Sequence, residues 1–489
     1  MLRSRVPQAR LGRVATKPIL QTPAKSLYST NRAPSATILK KATKYTLVAG
    51  VLGAPGLWWL ASKPTRANDE LPVPRFESVP AKKLTFGQRL SQEDVTRILT
   101  RYAYNFLVKD VTGVDRYDGA QLASNSPCED RFIHGQFPSP WDDGSQWMAW
   151  AIFDGHSGWQ TAYLLEKQLL PIVRHKLGQV KAESKKESMW KVVQRAIKEA
   201  FKKTDDAMMN AATGISESKE PFQDKVKKMI PAYTGSSALL SLYDPVARIL
   251  HVAGTGNSRA VMAQKAQDGR WVTMALSADH TGWNPKEAER INKQHPDEGD
   301  VVKDGLVLGI GVTRAFGDAP WKLPQELQKD LSKRFGAPLL LGYNLQTPPY
   351  LTAVPNVASF KIDPDIPSFL IMASDGFWKF VTDQQAVDLV SKWIESRGKP
   401  QGSPKPTYEP FDFSQFLGGK MKWEFVEERR TVQDENAAVH LVRNALGGNH
   451  HELLAGRLAL TAPFSLSARD DITVQVVLFN QPGLSKETK

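Results

Sequence analysis

One apolar segment constrains the fold more than any other part of the chain: Trp147 to Phe153, which runs directly into Asp154, Gly155 and His156. An unbroken apolar run that ends at a turn signal is typical of a strand covered on both faces. Asp154 would then lie at the end of this strand, either as an ordinary turn residue or as a metal ligand. Gly155 allows a close backbone turn, so its carbonyl could be a second ligand. His156 has the side chain that titrates near neutral pH.

Three further acidic positions lie beside predicted strands: Glu129 with Asp130, Asp375, and Asp470 with Asp471. Any one of them could be only a turn residue, but four such positions in one chain suggest that they converge on one point. Carboxylates without His or Cys partners favour hard cations, so Mg²⁺ or Mn²⁺ fits better than Zn²⁺. Two such ions would hold an activated water and a phosphoryl group.

Cysteine content and charge exclude several classes of protein. Cys128 is the single cysteine, which rules out an internal disulfide and a multi-cysteine zinc or iron–sulfur site. The formal net charge is +13, but residues 1–68 carry twelve Lys and Arg and no acid, which leaves +1 for the rest of the chain. The body is nearly neutral, so the sequence predicts no nucleic-acid partner.

The N-terminal composition predicts targeting segments. Residues 1–44 are rich in Arg and free of acids, as in a mitochondrial transit peptide, and the alternative is a disordered basic tail. Residues 45–62 are uncharged and close to the length of a membrane span, which favours a membrane anchor or sorting signal over a core helix. Residues 63–83 are predicted to be a linker, and 483–489 a short tail.

The body from 84 to 482 is predicted to be one domain. Strands and helices occur in blocks, which argues for a layered α+β domain and against a doubly wound sheet. The sequence predicts insertions near 213–230, 319–355 and 398–430. Helices are predicted at Gln92–Val108, Thr161–Lys176, Ser188–Met209, Pro285–Gln294, Asp383–Ser396 and Asn436–Leu446.

Seven short motifs, spread over roughly residues 120–480, give the chain a family resemblance. They occur in the order seen in metal-dependent protein phosphatases of the 2C type, and they are Glu129-Asp130, Asp154-Gly155-His156-Ser157-Gly158, Thr234-Gly235-Ser236-Ser237-Ala238, Gly256-Asn257-Ser258-Arg259-Ala260-Val261, Thr313-Arg314-Ala315-Phe316-Gly317-Asp318, Ser374-Asp375-Gly376-Phe377-Trp378 and Arg469-Asp470-Asp471-Ile472-Thr473.

This resemblance implies a fold, a cofactor and an activity. The fold would be an α-β-β-α sandwich, with two central antiparallel sheets flanked by helices and two Mg²⁺ or Mn²⁺ ions at one end. The activity would be hydrolysis of phosphoserine and phosphothreonine in proteins by a metal-activated water. The implied ligands are Asp154 bridging both ions, the Gly155 carbonyl on one, Asp375 and Asp470 on the other, and Glu129 and Asp130 acting directly or through water.

The resemblance also implies that His156 is the general acid that protonates the leaving oxygen.

Some residues depart from the family pattern. Asn125 stands where most members have a phosphate-binding arginine, so it is a possible phosphate-side residue. Asn257 replaces the usual aspartate of its motif. Lys379 and Ala232 stand where many members have acids, which puts a third, weaker metal site in doubt.

A narrower resemblance points to the pyruvate dehydrogenase phosphatase branch of the family. It is carried by Leu122–Pro127, Val301–Lys303 and Gln346–Ala353. The branch is mitochondrial and implies a phosphoprotein substrate, the E1 component of the pyruvate dehydrogenase complex. The departures at Asn257 and Lys379 leave an alternative open, namely a catalytically weak or silent protein that serves as a binding or scaffold module.

The compartment follows in part from the N-terminal segments. Association with the inner mitochondrial membrane is expected in either topology. The substrate of the branch implies the matrix face. The hydrophobic residues 45–62, followed by an Asn68-Asp69 pair that resembles the maturation site of two-part presequences, indicate the intermembrane space instead.

Overall fold

The computed structural model describes residues 90–180, 188–299, 301–397, 406–416 and 423–482. The helices in these ranges are α1 (Gln92–Thr100), α2 (Gln160–Val180), α3 (Met189–Gly214), α4 (Phe222–Tyr233), α5 (Pro285–Gln294), α6 (Gln325–Phe335), α7 (Asp375–Trp378), α8 (Asp383–Ser396), α9 (Ala437–Leu446) and α10 (His451–Ala459).

The strands in the same ranges are short or of moderate length. They are β1 (Tyr104–Leu107), β2 (Val114–Leu122), β3 (Arg131–Pro138), β4 (Gln146–Phe153), β5 (Gly155–His156), β6 (Gly235–Ser236), β7 (Ala238–Asp244), β8 (Ile249–Thr255), β9 (Arg259–Lys265), β10 (Trp271–Ala275), β11 (Val302–Lys303), β12 (Leu306–Val307), β13 (Phe316–Gly317), β14 (Asn356–Lys361), β15 (Ser368–Ala373) and β16 (Ile472–Phe479).

Two sheets pack face to face in the middle of the molecule. Across the described ranges their strand orders are β1-β2-β16-β15-β9-β10 and β14-β8-β7-β4-β3, and the paired strands run antiparallel. Helices α2, α3 and α4 cover the outer face of the second sheet, and α1, α8, α9 and α10 cover the first. The α-β-β-α sandwich predicted from the sequence is therefore confirmed.

The apolar run in β4 is unbroken because both of its faces are buried. Trp147, Ala149, Ala151 and Phe153 pack under the helices, whereas Met148, Trp150 and Ile152 fill the space between the sheets. Successive side chains of a strand point to opposite faces, so a strand in a middle layer needs apolar residues at every position. Strand β15 follows the same rule, with Phe369 and Ile371 on the helix side and Leu370 and Met372 on the inter-sheet side.

A small third sheet begins where β4 ends. Its order is β13-β6-β5. Gly155 pairs with Ser236 and His156 with Gly235, while Phe316 pairs with Ser236 and Gly317 with Gly235. This sheet brings three segments that are distant in sequence to the end of the sandwich.

Several predicted elements differ from the structure. The helix predicted over Gln92–Val108 ends at Thr100, and Tyr104–Leu107 forms β1 against β2. Strand β2 and helix α10 had no prediction. The segments near 213–230 and 319–355 contain the helices α4 and α6, so neither is irregular throughout. The helices predicted at Pro285–Gln294 and Asp383–Ser396 are confirmed.

The N-terminal predictions concern residues that the structure does not describe. The transit peptide, the anchor or sorting segment, the linker and the tail all lie outside the described ranges. Among the described helices, none combines the length and the hydropathy needed to cross a bilayer.

Replacing a core residue between the sheets tests the layer arrangement. Leu370 is fully buried there, so Leu370→Ala should lower the free energy of unfolding by about 2–5 kcal/mol because it leaves a cavity. Val272, also aliphatic but 50% exposed on β10, is the control, and Val272→Ala should change stability by less than about 0.5 kcal/mol. Urea unfolding followed by tryptophan fluorescence measures both, and equal losses would contradict the assignment of Leu370 to the inter-sheet core.

Candidate metal centre

Acidic side chains from three distant parts of the chain meet at one end of the two sheets. Asp154 directly follows β4, and Asp375 is the first residue of α7, just after β15. The Asp375 backbone N–H donates to Asp154 Oδ2 at 3.3 Å. Asp470 lies before β16, and its Oδ2 is 2.7 Å from Lys379 Nζ, which is also 3.0 Å from Asp375 Oδ2. The structure thus brings Asp154, Asp375 and Asp470 together.

Hydrogen bonds between β15 and β16 fix the positions of the latter two acids. The Ser374 backbone N–H donates to the Thr473 carbonyl at 3.0 Å, and the Thr473 N–H donates to Ser374 Oγ at 2.9 Å. A Cβ at Gly376 would lie 2.0 Å from the Asp471 carbonyl oxygen. This close approach requires glycine directly after Asp375.

Asp471 anchors the loop that carries Glu129. Its carboxylate accepts hydrogen bonds from the backbone N–H groups of Ser124, Asn125 (2.9 Å) and Glu129 (2.8 Å). The Asn125 side-chain amide also donates to Asp471, at 3.0 Å. The sequence predicts Asn125 as a possible phosphate-side residue and Asp471 as one of the converging acids, and in the structure the two form one hydrogen-bonded unit.

The Asp130 side chain and the Glu129 carbonyl of this loop also lie at this end of the sheets. Asp130 is 1% exposed, and its Oδ2 accepts from Thr473 Oγ1 at 2.7 Å. Its Oδ1 is buried without a hydrogen-bond partner among the described residues. A Cβ at Gly155 would lie 2.5 Å from the Glu129 carbonyl oxygen, so this loop packs directly on the Gly155 backbone.

The close packing of these acids shifts their pKa values. Burial, and then the neighbouring Asp375, raise the pKa of Asp154 well above its usual range. Burial, and then Asp471, raise the pKa of Glu129 to about 7. Asp470 is the exception, since the Lys379 ammonium outweighs the effect of burial and lowers the pKa of Asp470. Such a group of carboxylates is stabilised by any cation placed among them.

The donors fit a hard divalent cation. The candidate metal ligands are carboxylate and carbonyl oxygens. Asp130 Oδ1, which is buried without a hydrogen-bond partner among the described residues, is available as one of them. In the part of the chain that the structure describes, no three His, Cys, Asp or Glu side chains are already arranged around a metal position. Instead, the Lys379 ammonium lies between two of the acids.

His156 has a buried acidic partner that the sequence interpretation did not assign. Its Nε2 lies 2.9 Å from Asp318 Oδ2 and 3.0 Å from Oδ1. Burial lowers the pKa of the imidazole, but Asp318 outweighs this effect, and the pKa of His156 rises to about 9. The imidazole is therefore a cation at neutral pH and can donate a proton.

The third sheet creates this pair. Asp318 directly follows β13, and His156 lies across β6 from it. A Cβ at Gly235 would lie 1.9 Å from His156 Nε2 and 2.4 Å from Asp318 Oδ1. Only glycine at position 235 leaves room for the contact. The one sequence signal was the position of Asp318 at the end of a Gly-rich motif.

Cys128 lies in the same loop as Glu129. It is buried, and burial raises the pKa of its thiol well above the usual range. The thiol is therefore protonated at neutral pH, which makes it a poor nucleophile.

The His156–Asp318 pair gives a testable titration. In metal-free protein with chelator, the His156 imidazole should titrate near pH 9, and Asp318→Asn should move its pKa down towards 6.5. The pKa is raised on folding, so the pair stabilises the fold fully below about pH 6.5, and this contribution disappears as the pH rises through 9. Histidine NMR titration measures the shift. His440, buried and lowered to a pKa of about 4, is the internal control, and a His156 pKa unchanged by Asp318→Asn would contradict the pairing.

The chain was compared with known proteins. A family model described as "Protein phosphatase 2C" matches residues 119–406. A protein phosphatase 2C homolog of Schizosaccharomyces pombe is 37% identical over 380 residues, which cover 76% of this chain and 82% of the relative. Several relatives are named mitochondrial pyruvate dehydrogenase (acetyl-transferring)-phosphatase 1, among them one yeast and one human protein. The Saccharomyces cerevisiae protein is 31% identical over 86% of this chain and 79% of its own length, and the Homo sapiens protein is 30% identical over 83% and 85%.

The matched region contains the third sheet, Asp154 and Asp375, while Asp470 lies beyond its end. The family model spans more than half of the chain, and the S. pombe relative is well above 30% identity over most of it. The chain therefore belongs to the protein phosphatase 2C family and is a protein serine/threonine phosphatase.

Proposed function

We propose that the chain hydrolyses phosphoserine and phosphothreonine in proteins with two Mg²⁺ or Mn²⁺ ions at the acidic end of the sandwich. The observation that carries this proposal is the meeting of Asp154, Asp375 and Asp470, which come from three separate parts of the sequence. Natural folds bury carboxylates together only where a cation or a proton compensates their repulsion.

The chain's residues suit distinct roles at such a centre. Asp154, whose Oδ2 accepts from the Asp375 backbone N–H, would serve both ions, and Asp375 and Asp470 would hold one of them. The Gly155 carbonyl, Glu129 and Asp130 would serve the other ion, directly or through water. When bound, the ions would supply a nucleophilic water of lowered pKa and stabilise charge on the phosphoryl oxygens.

His156 would then protonate the leaving oxygen. A doubly protonated imidazole has an N–H at each nitrogen. Its Nε2–H is directed at Asp318, which leaves the Nδ1–H as the proton for the serine or threonine oxygen. Asp318 would act as a positioning residue that keeps His156 charged and oriented.

The relatives support a narrower substrate class. The yeast and human proteins carry the name of a mitochondrial pyruvate dehydrogenase phosphatase, and the predicted transit peptide at residues 1–44 agrees with that location. We therefore infer that the substrate is a phosphoprotein of the mitochondrial pyruvate dehydrogenase complex, its E1 component. Association with the inner membrane would depend on residues 45–62.

Loss of one proposed ligand tests the metal-dependent reaction. Phosphate release from phosphorylated E1 should require Mg²⁺ or Mn²⁺, and Asp375→Asn should reduce kcat by more than about 100-fold, because even partners of metal ligands contribute 10–100-fold. Asp206→Asn is the control, since Asp206 pairs with Lys202 on the exposed surface of α3.

Two results would contradict the proposal: full activity in chelator, or full activity of Asp375→Asn. Metal binding without any activity on phosphoproteins would favour the alternative of a silent scaffold protein.

Membrane association has its own test. In isolated mitochondria the full-length protein should stay with the membrane pellet after carbonate extraction, and a variant lacking residues 45–62 behind an intact transit peptide should be released. Protease treatment of mitoplasts then determines the side, and protection is expected for an enzyme that acts on a matrix substrate. Release of the full-length protein by carbonate would count against an anchor.

A further inference from the structure

Two departures from the family pattern converge on one carboxylate oxygen. Lys379 Nζ lies 3.0 Å from Asp375 Oδ2, and Asn257 Nδ2 donates to the same oxygen at 2.8 Å. Lys379 Nζ also donates to Asp470 Oδ2 at 2.7 Å. One ammonium and one amide therefore contact the same oxygen of Asp375, and the ammonium also reaches Asp470.

The local fold holds Lys379 in this position. The Lys379 backbone N–H donates to the Asp375 carbonyl at 2.9 Å, which places the two side chains one helical turn apart. The neighbouring Trp378 indole donates to the Ala373 carbonyl at 3.0 Å. The Arg259 guanidinium lies 5.2 Å from the centre of the Trp378 ring and is paired with two acids of its own.

Asn257 is held from its other side. Its Oδ1 accepts a hydrogen bond from Ser237 Oγ at 3.0 Å, so the amide nitrogen is directed at Asp375. The Ser237 backbone N–H donates to the Asp154 carbonyl at 2.8 Å. The hydrogen-bonded chain from Asp154 through Ser237 and Asn257 to Asp375 ends on the oxygen that Lys379 contacts.

An ammonium in this position has a definite electrostatic effect. Lysine has three N–H donors and no acceptor, so Lys379 can bind both acids and neutralise one charge of the pair. A divalent cation that approaches the same acids meets a positive charge a few ångströms away and competes with it for carboxylate oxygens. At such separations the repulsion persists even in a partly screened environment.

We infer that Lys379 is a built-in counter-cation of the metal centre. It holds Asp375 and Asp470 together in the metal-free protein and weakens the binding of divalent cations to these two acids. The inference rests on the proposed metal centre, and it adds that the metal affinity of this chain is set by one lysine. The side chain of Lys379 is 40% exposed, which leaves it room to turn outward when an ion binds.

Titration calorimetry with Mn²⁺ on the full chain in detergent tests this inference. Lys379→Met keeps the length of the side chain and removes its charge, so it should bind Mn²⁺ about tenfold more tightly than the wild-type protein, or about 1.4 kcal/mol. Lys379→Arg keeps the charge and should stay close to the wild-type affinity. Lys293→Met is the matched control, because Lys293 forms an exposed ion pair with Glu289 on α5 and its loss changes the net charge equally.

Thermal unfolding of the same variants separates this role from simple packing. In chelator, Lys379→Met should unfold at a lower temperature than wild type, because Asp375 and Asp470 lose their counter-cation. Saturating Mn²⁺ should restore the lost stability, so the metal-induced rise in Tm is larger for Lys379→Met than for wild type. A purely structural lysine would give the same loss with and without Mn²⁺, which would overturn the inference.

The remaining outcomes are also decisive. An Mn²⁺ affinity that Lys379→Met leaves unchanged or weakens would overturn the counter-cation role and leave the metal centre standing. An equal gain in Lys293→Met would overturn it too, since the effect would then be one of net charge. Absence of Mn²⁺ binding in every variant would overturn the metal centre itself.

Discussion

The repulsion among carboxylates gathered at one end of the sandwich is the constraint on which the rest of the structure depends. Asp154 accepts a hydrogen bond from the Asp375 backbone N–H, and the Lys379 ammonium connects Asp375 to Asp470. Asp130 is buried beside them with one oxygen unpartnered among the described residues. Separated carboxylates would be better solvated, so the fold must hold them in place. It does so by ending rigid, fully buried strands at this point, and by donating backbone N–H groups to Asp471.

At this end of the molecule, two cationic side chains are paired with carboxylates. His156 is held by Asp318, and Lys379 is held by Asp375 and Asp470. Gly235 leaves room for the His156–Asp318 contact, and Asn257 donates to the Asp375 oxygen that Lys379 also contacts. In our account, His156 gives its proton to the leaving group and Lys379 moderates the pull of the acids on divalent ions. Proton donation and the adjustment of metal affinity thus depend on separate ion pairs.

Much of the fold was predictable because several of its central strands are predominantly apolar. The runs that form β4, β15 and β16, and the acids at their ends, stand out in the sequence for this reason. Strand β2 did not, because it buries polar residues. Arg116 and Asp118 form a buried ion pair, and Gln121 donates to Thr473 at 3.1 Å. Strand β1 was predicted as the end of the helix Gln92–Val108, because only its pairing with β2 makes it a strand.

The acidic residues of the site could be predicted from the sequence, but the side chains that pair with them could not. The motifs that contain Asp318 and Asp471 did not reveal their partners, because their roles arise from contacts with residues 162 and more than 340 positions away. Lys379 appeared in the sequence only as a departure from a pattern. Its pairing with two acids required the helical turn at the end of β15 and the adjoining start of β16.

The most direct test of the central claim is X-ray diffraction from crystals of the protein grown with Mn²⁺, with anomalous differences collected near the manganese edge. Two anomalous peaks are expected at the acidic end, with Asp154 a ligand of both ions and Asp375 and Asp470 ligands of one. Crystals soaked in Mn²⁺ with no peak within coordination distance of Asp154, Asp375 and Asp470 would contradict it.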